Sequence, residues 1–169
     1  ILGCCSLSAD ERAKFQGQFG GEMYENFDDV LALPDVGAVL IATPHSLHRD
    51  QVIAAANAGK HVFCEKPFIL SVEKGHELDQ LAIDKQKINQ VGYHNRFIGT
   101  FQAAERFIRS SLIGDIYHIK GEAYGPVVIK EKTKTWRSDP SEGGGCLYDY
   151  ASHVINLMQY IVGKAERVS

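Results

Sequence analysis

No dense run of lysine and arginine occurs anywhere in the chain, and the formal net charge is -3. A polyanionic partner such as nucleic acid is therefore not what the electrostatics favour. No apolar run reaches the length of a membrane span, so no transmembrane helix is expected. Cysteine is sparse: Cys4, Cys5, Cys64 and Cys146 are scattered and show no CxxC spacing. That argues against a disulfide framework and a zinc site, and it suits reduced thiols in the cytoplasm. Internal repeats and low-complexity segments are missing too. So is an initiator methionine: Ile1-Leu-Gly-Cys-Cys5 begins inside what reads as a strand, and further sequence is expected upstream.

What is present suffices for a core. With 169 residues, 44% hydrophobic and 23% charged, the chain can form one domain or two partial ones. Ser8-Ala-Asp-Glu11 has the form of a capping box and predicts a helix to about Phe19, stopped by Gly20-Gly21. Asn26-Phe-Asp-Asp29 predicts a short helix through Leu33, which Pro34 ends. The small, apolar run from Gly37 to Ala42 reads as a parallel strand covered on both faces. Thr43-Pro-His-Ser-Leu-His48 follows, then a helix from Leu47 to Ala58 with Gly59 as its stop, then a strand from His61 to Cys64. Strand, helix and strand in this short span make one parallel βαβ unit, so the two strands end side by side. Thr43-Pro44-His45 should then lie next to Glu65-Lys66-Pro67.

That second stretch organises the rest. A charged pair at the carboxyl end of a strand sits where open α/β sheets bind ligands, and Pro67 narrows the backbone choices of Lys66. The Lys66-Pro67 bond is expected to be cis. Ser71 caps a predicted helix from Val72 to Lys85, and Ile88 to Gly92 reads as a strand. The chain changes character near Arg96, where a domain boundary is expected. Beyond it come a helix from Thr100 to Arg109 and an alternating stretch, Ile116 to Tyr124, that suits a strand with one wet face. The segment from Gly125 to Gly145 reads mostly as a functional loop. From Leu147 to Ile161 the periodicity is helical, which puts Asp149 and His153 one turn apart on one face.

Three ionisable groups could converge. His153 would serve as a general base, Lys66 would hold an oxygen electrostatically, and Asp149 would orient the imidazole or the substrate. Spacing alone leaves open that Asp149 and His153 are an incidental pair on a surface helix. His45 and His48 are spaced i, i+3, but no third ligand follows, so no metal site is expected.

Four segments carry a resemblance. Ala42-Thr-Pro-His-Ser-Leu-His48, Gly59-Lys-His-Val-Phe-Cys-Glu-Lys-Pro67, Gly92-Tyr-His-Asn-Arg-Phe97 and Gly143-Gly-Gly-Cys-Leu-Tyr-Asp-Tyr-Ala-Ser-His153 are similar, in order, to the signatures of the Gfo/Idh/MocA oxidoreductases. Trp136-Arg137 fits the same pattern. The resemblance implies an α/β fold: an incomplete Rossmann domain with a doubly wound parallel sheet (1–96), then part of an α/β substrate domain with an open, mostly antiparallel sheet (97–169). It implies an NAD(P)-dependent oxidoreductase that moves a hydride between a nicotinamide and a carbinol of a sugar, cyclitol or related polyol. It also implies a homo-oligomer built through the second-domain sheet.

By the same resemblance, Lys66, Asp149 and His153 occupy catalytic positions. Ser6, Thr43, Pro44, His45, His48, Glu65, Lys66, Trp136 and Arg137 would contact the cofactor. His45 stands where many relatives have Asn, and Ala151-Ser152 replaces a glycine often found before the histidine. The glycine-rich phosphate loop is absent, as expected of a chain that begins at the second strand. Ser6 stands where many relatives carry an acid for the ribose. Its neutrality removes a repulsion against a 2′-phosphate, so NAD and NADP both stay open, with Arg12 as a possible helper. Two other functions stay open: a catalytically silent nucleotide- or sugar-binding regulatory relative, and NAD-assisted elimination or glycoside cleavage.

Overall fold

A computed structural model describes residues 1–124, 139 and 144–167. The backbone packs into two compact units: Ile1–Thr43, Leu47–Cys64 and Ser71–Gln90 form the first, and Pro44–Ser46, Glu65–Leu70 and Val91–Ser169 the second.

The first unit alternates strands and helices. Its elements are β1 (Gly3–Cys5), α1 (Ala9–Phe19), β2 (Glu22–Tyr24), α2 (Phe27–Leu31), β3 (Ala38–Ile41), α3 (His45–Asn57), β4 (His61–Cys64), α4 (Val72–Asp84) and β5 (Asn89–Val91). The first residues of α3 and the last of β5 belong to the second unit by packing. β1 pairs parallel with β2, and a three-stranded sheet runs in the order β3-β4-β5. β3 and β4 are parallel, with Ala38 opposite His61 and Ile41 opposite Cys64, so their carboxyl ends lie side by side as the βαβ spacing requires.

Local chemistry sets the ends of these elements. Ser71 Oγ accepts from Lys74 N and starts α4. Gly59 follows α3 at φ +73°, a left-handed conformation that a side chain resists, and its N–H closes the helix on Ala56 O. The capping box of α1 is relayed. Ser8 Oγ accepts from Glu11 N, but the Glu11 carboxylate takes the Ser6 hydroxyl at 2.6 Å, and Ser6 Oγ accepts from Ser8 N.

The core gathers Val39, Ile41, Val52, Ala55, Ala56, Val62, Cys64 and Leu78, all buried. β3 departs from the expected double coverage: Val39 and Ile41 are buried while Ala38 and Leu40 are exposed. Alternate residues share a face, and the described residues of this unit cover only one face of the strand. β2 was not foreseen in the sequence; Gly20-Gly21 stops α1 and turns the chain straight into it.

The second unit holds a 3₁₀ turn (His94–Phe97), α5 (Gly99–Arg109), a π turn (Leu147–Ala151) and α6 (Ser152–Val162). α5 packs against α6. Arg96 ties the 3₁₀ turn to α6, because its Nε donates to Asn156 Oδ1 at 2.6 Å and its guanidinium lies 5.4 Å from the Tyr160 ring centre. The strand expected over 116–124 is not formed. A strand needs a partner for its ladder, and among the described residues of this unit none lies alongside. The segment rests on α6 instead, where Val154 closes the space beside Gly121.

Candidate active site

The site is assembled inside the second unit, starting where β4 ends. Glu65-Lys66-Pro67 leaves the strand with a cis Lys66-Pro67 bond, as the sequence led us to expect. The carboxylate of Glu65 turns back to accept from Lys66 N at 3.2 Å. Space for it comes from Gly92, which is buried: a Cβ there would stand 3.1 Å from all three carboxyl atoms of Glu65. Replacing Gly92 by alanine is expected to push Glu65 aside at a cost of about 1–3 kcal/mol, typical of overpacking, which a thermal melt would register.

Lys66 then reaches a partner far along the chain. Its Nζ donates to Asp149 Oδ1 at 2.8 Å and to Asp149 O at 2.7 Å, and both side chains are largely buried, at 13% and 15% exposure. The π turn makes this possible by presenting the Asp149 carbonyl as well as its carboxylate. π turns recur at functional sites for such reasons. One residue into α6 lies His153, half-buried, with its buried Nδ1 bonded to no described group. The ring is flanked by His94 at 4.9 Å and Tyr93 at 6.1 Å between centroids, both edge-on.

The electrostatics follow from this packing. Burial pushes the His153 imidazole below its ordinary pKa, and the charges of Lys66 and His94 push in the same direction, against Glu65 and Asp149. His153 is therefore neutral near pH 7 and able to accept a proton. Burial raises the Tyr93 phenol, with Arg96 opposing, so Tyr93 stays protonated.

The residues expected to touch a cofactor are distributed unevenly. His45 is buried and belongs to the second unit with Pro44. In the first unit His48 Nε2 lies 3.0 Å from Thr43 O, and Thr43 Oγ1 donates to Gln51 Oε1 at 2.6 Å, so these side chains staple the turn between β3 and α3. Ser6 Oγ is held by Glu11. Arg12, 9% exposed, is bound by Ser6 O and Glu25, which leaves it ill placed to receive a 2′-phosphate. Trp136 and Arg137 lie outside the described residues. Among those residues no cluster of His, Cys, Asp or Glu could hold a metal ion, and no helix is long and apolar enough to cross a membrane. A cleft of about 470 Å³ in the second unit, lined by Arg109, Asp115 and Tyr160 among others, includes none of the expected site residues.

Sequence comparison matches both parts of the chain to known families. Residues 1–93 match an oxidoreductase family with an NAD-binding Rossmann fold, and residues 101–169 match the GFO/IDH/MocA C-terminal domain. The chain belongs to the Gfo/Idh/MocA family. Among its Gfo/Idh/MocA relatives is a levoglucosan dehydrogenase of Pseudarthrobacter phenanthrenivorans, 32% identical over 80% of this chain and 35% of the relative. Another is an NADP(+) scyllo-inositol 2-dehydrogenase of Bacillus subtilis, 28% identical over 88% of this chain and 41% of the relative. A solved levoglucosan dehydrogenase, in complex with NADH and levoglucosan, superimposes with a TM-score of 0.83 at 29% identity, covering 96% of this chain and 45% of that one. This Gfo/Idh/MocA chain thus spans less than half the length of the relatives it matches.

Spacing did not single out Gly92, Tyr93 and His94 as members of the site. They stand in the Gly92–Phe97 segment, which was legible only as part of a family pattern.

Proposed function

We propose that the protein carrying this chain is an NAD(P)-dependent oxidoreductase that moves a hydride between a nicotinamide nucleotide and a carbinol carbon of a sugar, cyclitol or related polyol. One observation carries the reading: Lys66 is clamped by Asp149, and His153, kept neutral by burial, stands in the same unit. The chain's own features suit such a nucleotide, since parallel strands β3 and β4 end in register, and ligands of open parallel sheets sit beyond such ends. Pro44, His45, Glu65 and Lys66 would border it, while Thr43 and His48 shape the turn. When bound, the nicotinamide supplies the hydride acceptor or donor.

The residues supply the rest. His153 takes the hydroxyl proton of the carbinol, and Lys66 stabilises the negative charge that builds on the oxygen. Asp149 fixes Lys66 through two contacts, so the ammonium is in place before substrate arrives. We extend the proposal to a cytoplasmic homo-oligomer. The free thiols of Cys4, Cys5, Cys64 and Cys146 support the first point, and the exposed Phe107, Leu112, Ile113 and Ile155 the second.

The test is reduction of NAD(+) and NADP(+) by the full-length protein with a panel of inositols, aldoses and anhydrosugars. We expect absorbance at the reduced nicotinamide band with at least one polyol. Silence across the panel, with nucleotide bound, would instead support a regulatory relative. Glycoside loss without net reduced nucleotide would support elimination.

A further inference from the structure

The proton that His153 accepts must leave, and His153 is half-buried, with one ring nitrogen closed off altogether. The groups around it differ in what they can do with a proton. Lys66 is cationic and bound to Asp149. Tyr93 stays protonated. Glu65 is engaged with the Lys66 amide. Asp149 is committed to the ammonium. The remaining neighbour, His94, sits on the 3₁₀ turn, is exposed to solvent, and meets the His153 ring edge-on at 4.9 Å between centroids, with planes inclined at 66°. Two imidazoles at that separation can pass a proton across one bridging water, through Nε2 of His153, since its Nδ1 is closed off.

We propose that His94 relays the proton of His153 to bulk solvent. The inference rests on the reading of His153 as the proton acceptor. In each oxidation His153 gains one proton from the carbinol and passes one to His94, which releases one to water, and both rings end neutral. In the reductive direction the same path runs inward. The geometry also explains why an exposed residue takes an imidazole here: its ring nitrogens can bind and release a proton, whereas an exposed amide or phenyl at the same place could pack against His153 but not carry one. His94 touches no reacting atom in this scheme and is a positioning and relay residue, not a catalytic one.

Phenylalanine at position 94 separates transport from packing, because it preserves the edge-on ring contact. In the full-length protein His94→Phe is expected to lower kcat on the order of tenfold in dilute, weakly buffered solution, with KM unchanged, and added imidazole should restore the rate. A purely structural role would not be rescued by a small proton carrier. Independently of turnover, NMR titration of His153 in the ligand-free protein should show its pKa rise in His94→Phe, since a like charge has been removed. Wild-type turnover in dilute buffer, or a loss that imidazole does not repair, would overturn the relay while leaving the function intact. A His153 titration unmoved by the substitution would show that the rings are not coupled and would also overturn it. A wild-type protein that binds nucleotide but oxidises no polyol would remove the functional reading, and the relay with it, whatever the titration shows.

Discussion

Alanine at position 153 is expected to lower kcat of the full-length protein by about 10²–10⁴-fold, the range that a positioned proton acceptor contributes, or about 2.7–5.4 kcal/mol of barrier. KM for the polyol should change much less, because the imidazole acts on a proton that moves only as the hydride leaves. The pH profile gives a second readout with a definite sign. Burial, helped by Lys66 and His94, holds the His153 pKa below the ordinary imidazole value, so the base form predominates at pH 7. Oxidation should therefore rise with pH through an apparent pKa below 6.5 and run flat above it, and that limb should vanish in His153→Ala. Folding stability carries the same sign. The unfolded chain binds the proton at a higher pH than the folded chain does, so the His153 contribution is complete above the unfolded pKa and is lost as pH falls through the folded one. Turnover equal to wild type in His153→Ala would remove His153 from the chemistry.

Much of this fold could be read locally. Ser8, Ser71 and Gly59 act through hydrogen bonds or dihedrals within a few residues of themselves, and the predicted caps and stop stand where expected. The apolar run of β4 coincides with its predicted bounds for the same reason. Reading failed where the decisive partner was distant or the signal too short. β2 has three residues, too few to show a period. Ile116 to Tyr124 alternates as a strand should, but alternation describes two faces and supplies no neighbour to hydrogen-bond. The π turn differs from an α turn by one residue in its bonding, which no hydrophobic pattern records.

The site divides along the same line. Lys66, Asp149 and His153 were visible as residue types in suggestive places, and Asp149 and His153 as a helical pair. Asp149 was expected to orient the imidazole or the substrate; the structure shows its carboxylate gripping Lys66 across 83 residues of chain. Contacts of that span follow from tertiary packing. The relayed cap at Ser6 is a smaller case. Its hydroxyl satisfies Glu11 and Ser8, a role that a reading confined to the ribose could not supply.

That long-range grip makes Lys66→Met the second decisive substitution, because one change is expected to damage both chemistry and stability for separable reasons. The chemical loss is about 10²–10³-fold in kcat, comparable with removing a donor from an oxyanion site. The structural loss arises because Asp149, 15% exposed, loses its cation while its carboxylate stays largely buried. Removing one member of a buried pair costs about 3 kcal/mol, the lower end of the usual range, since the pair keeps some access to water. Lys66→Met should therefore melt earlier than wild type, and the double variant Lys66→Met with Asp149→Asn should regain most of that stability, because a neutral amide tolerates burial better than a carboxylate that has lost its ammonium. Turnover should stay low in both. The double-mutant cycle thus separates the ammonium's two tasks: holding Asp149 accounts for the melting temperature, and stabilising charge on the substrate oxygen accounts for kcat. Recovery of turnover along with stability in the double variant would mean that Lys66 matters only as a brace for the π turn.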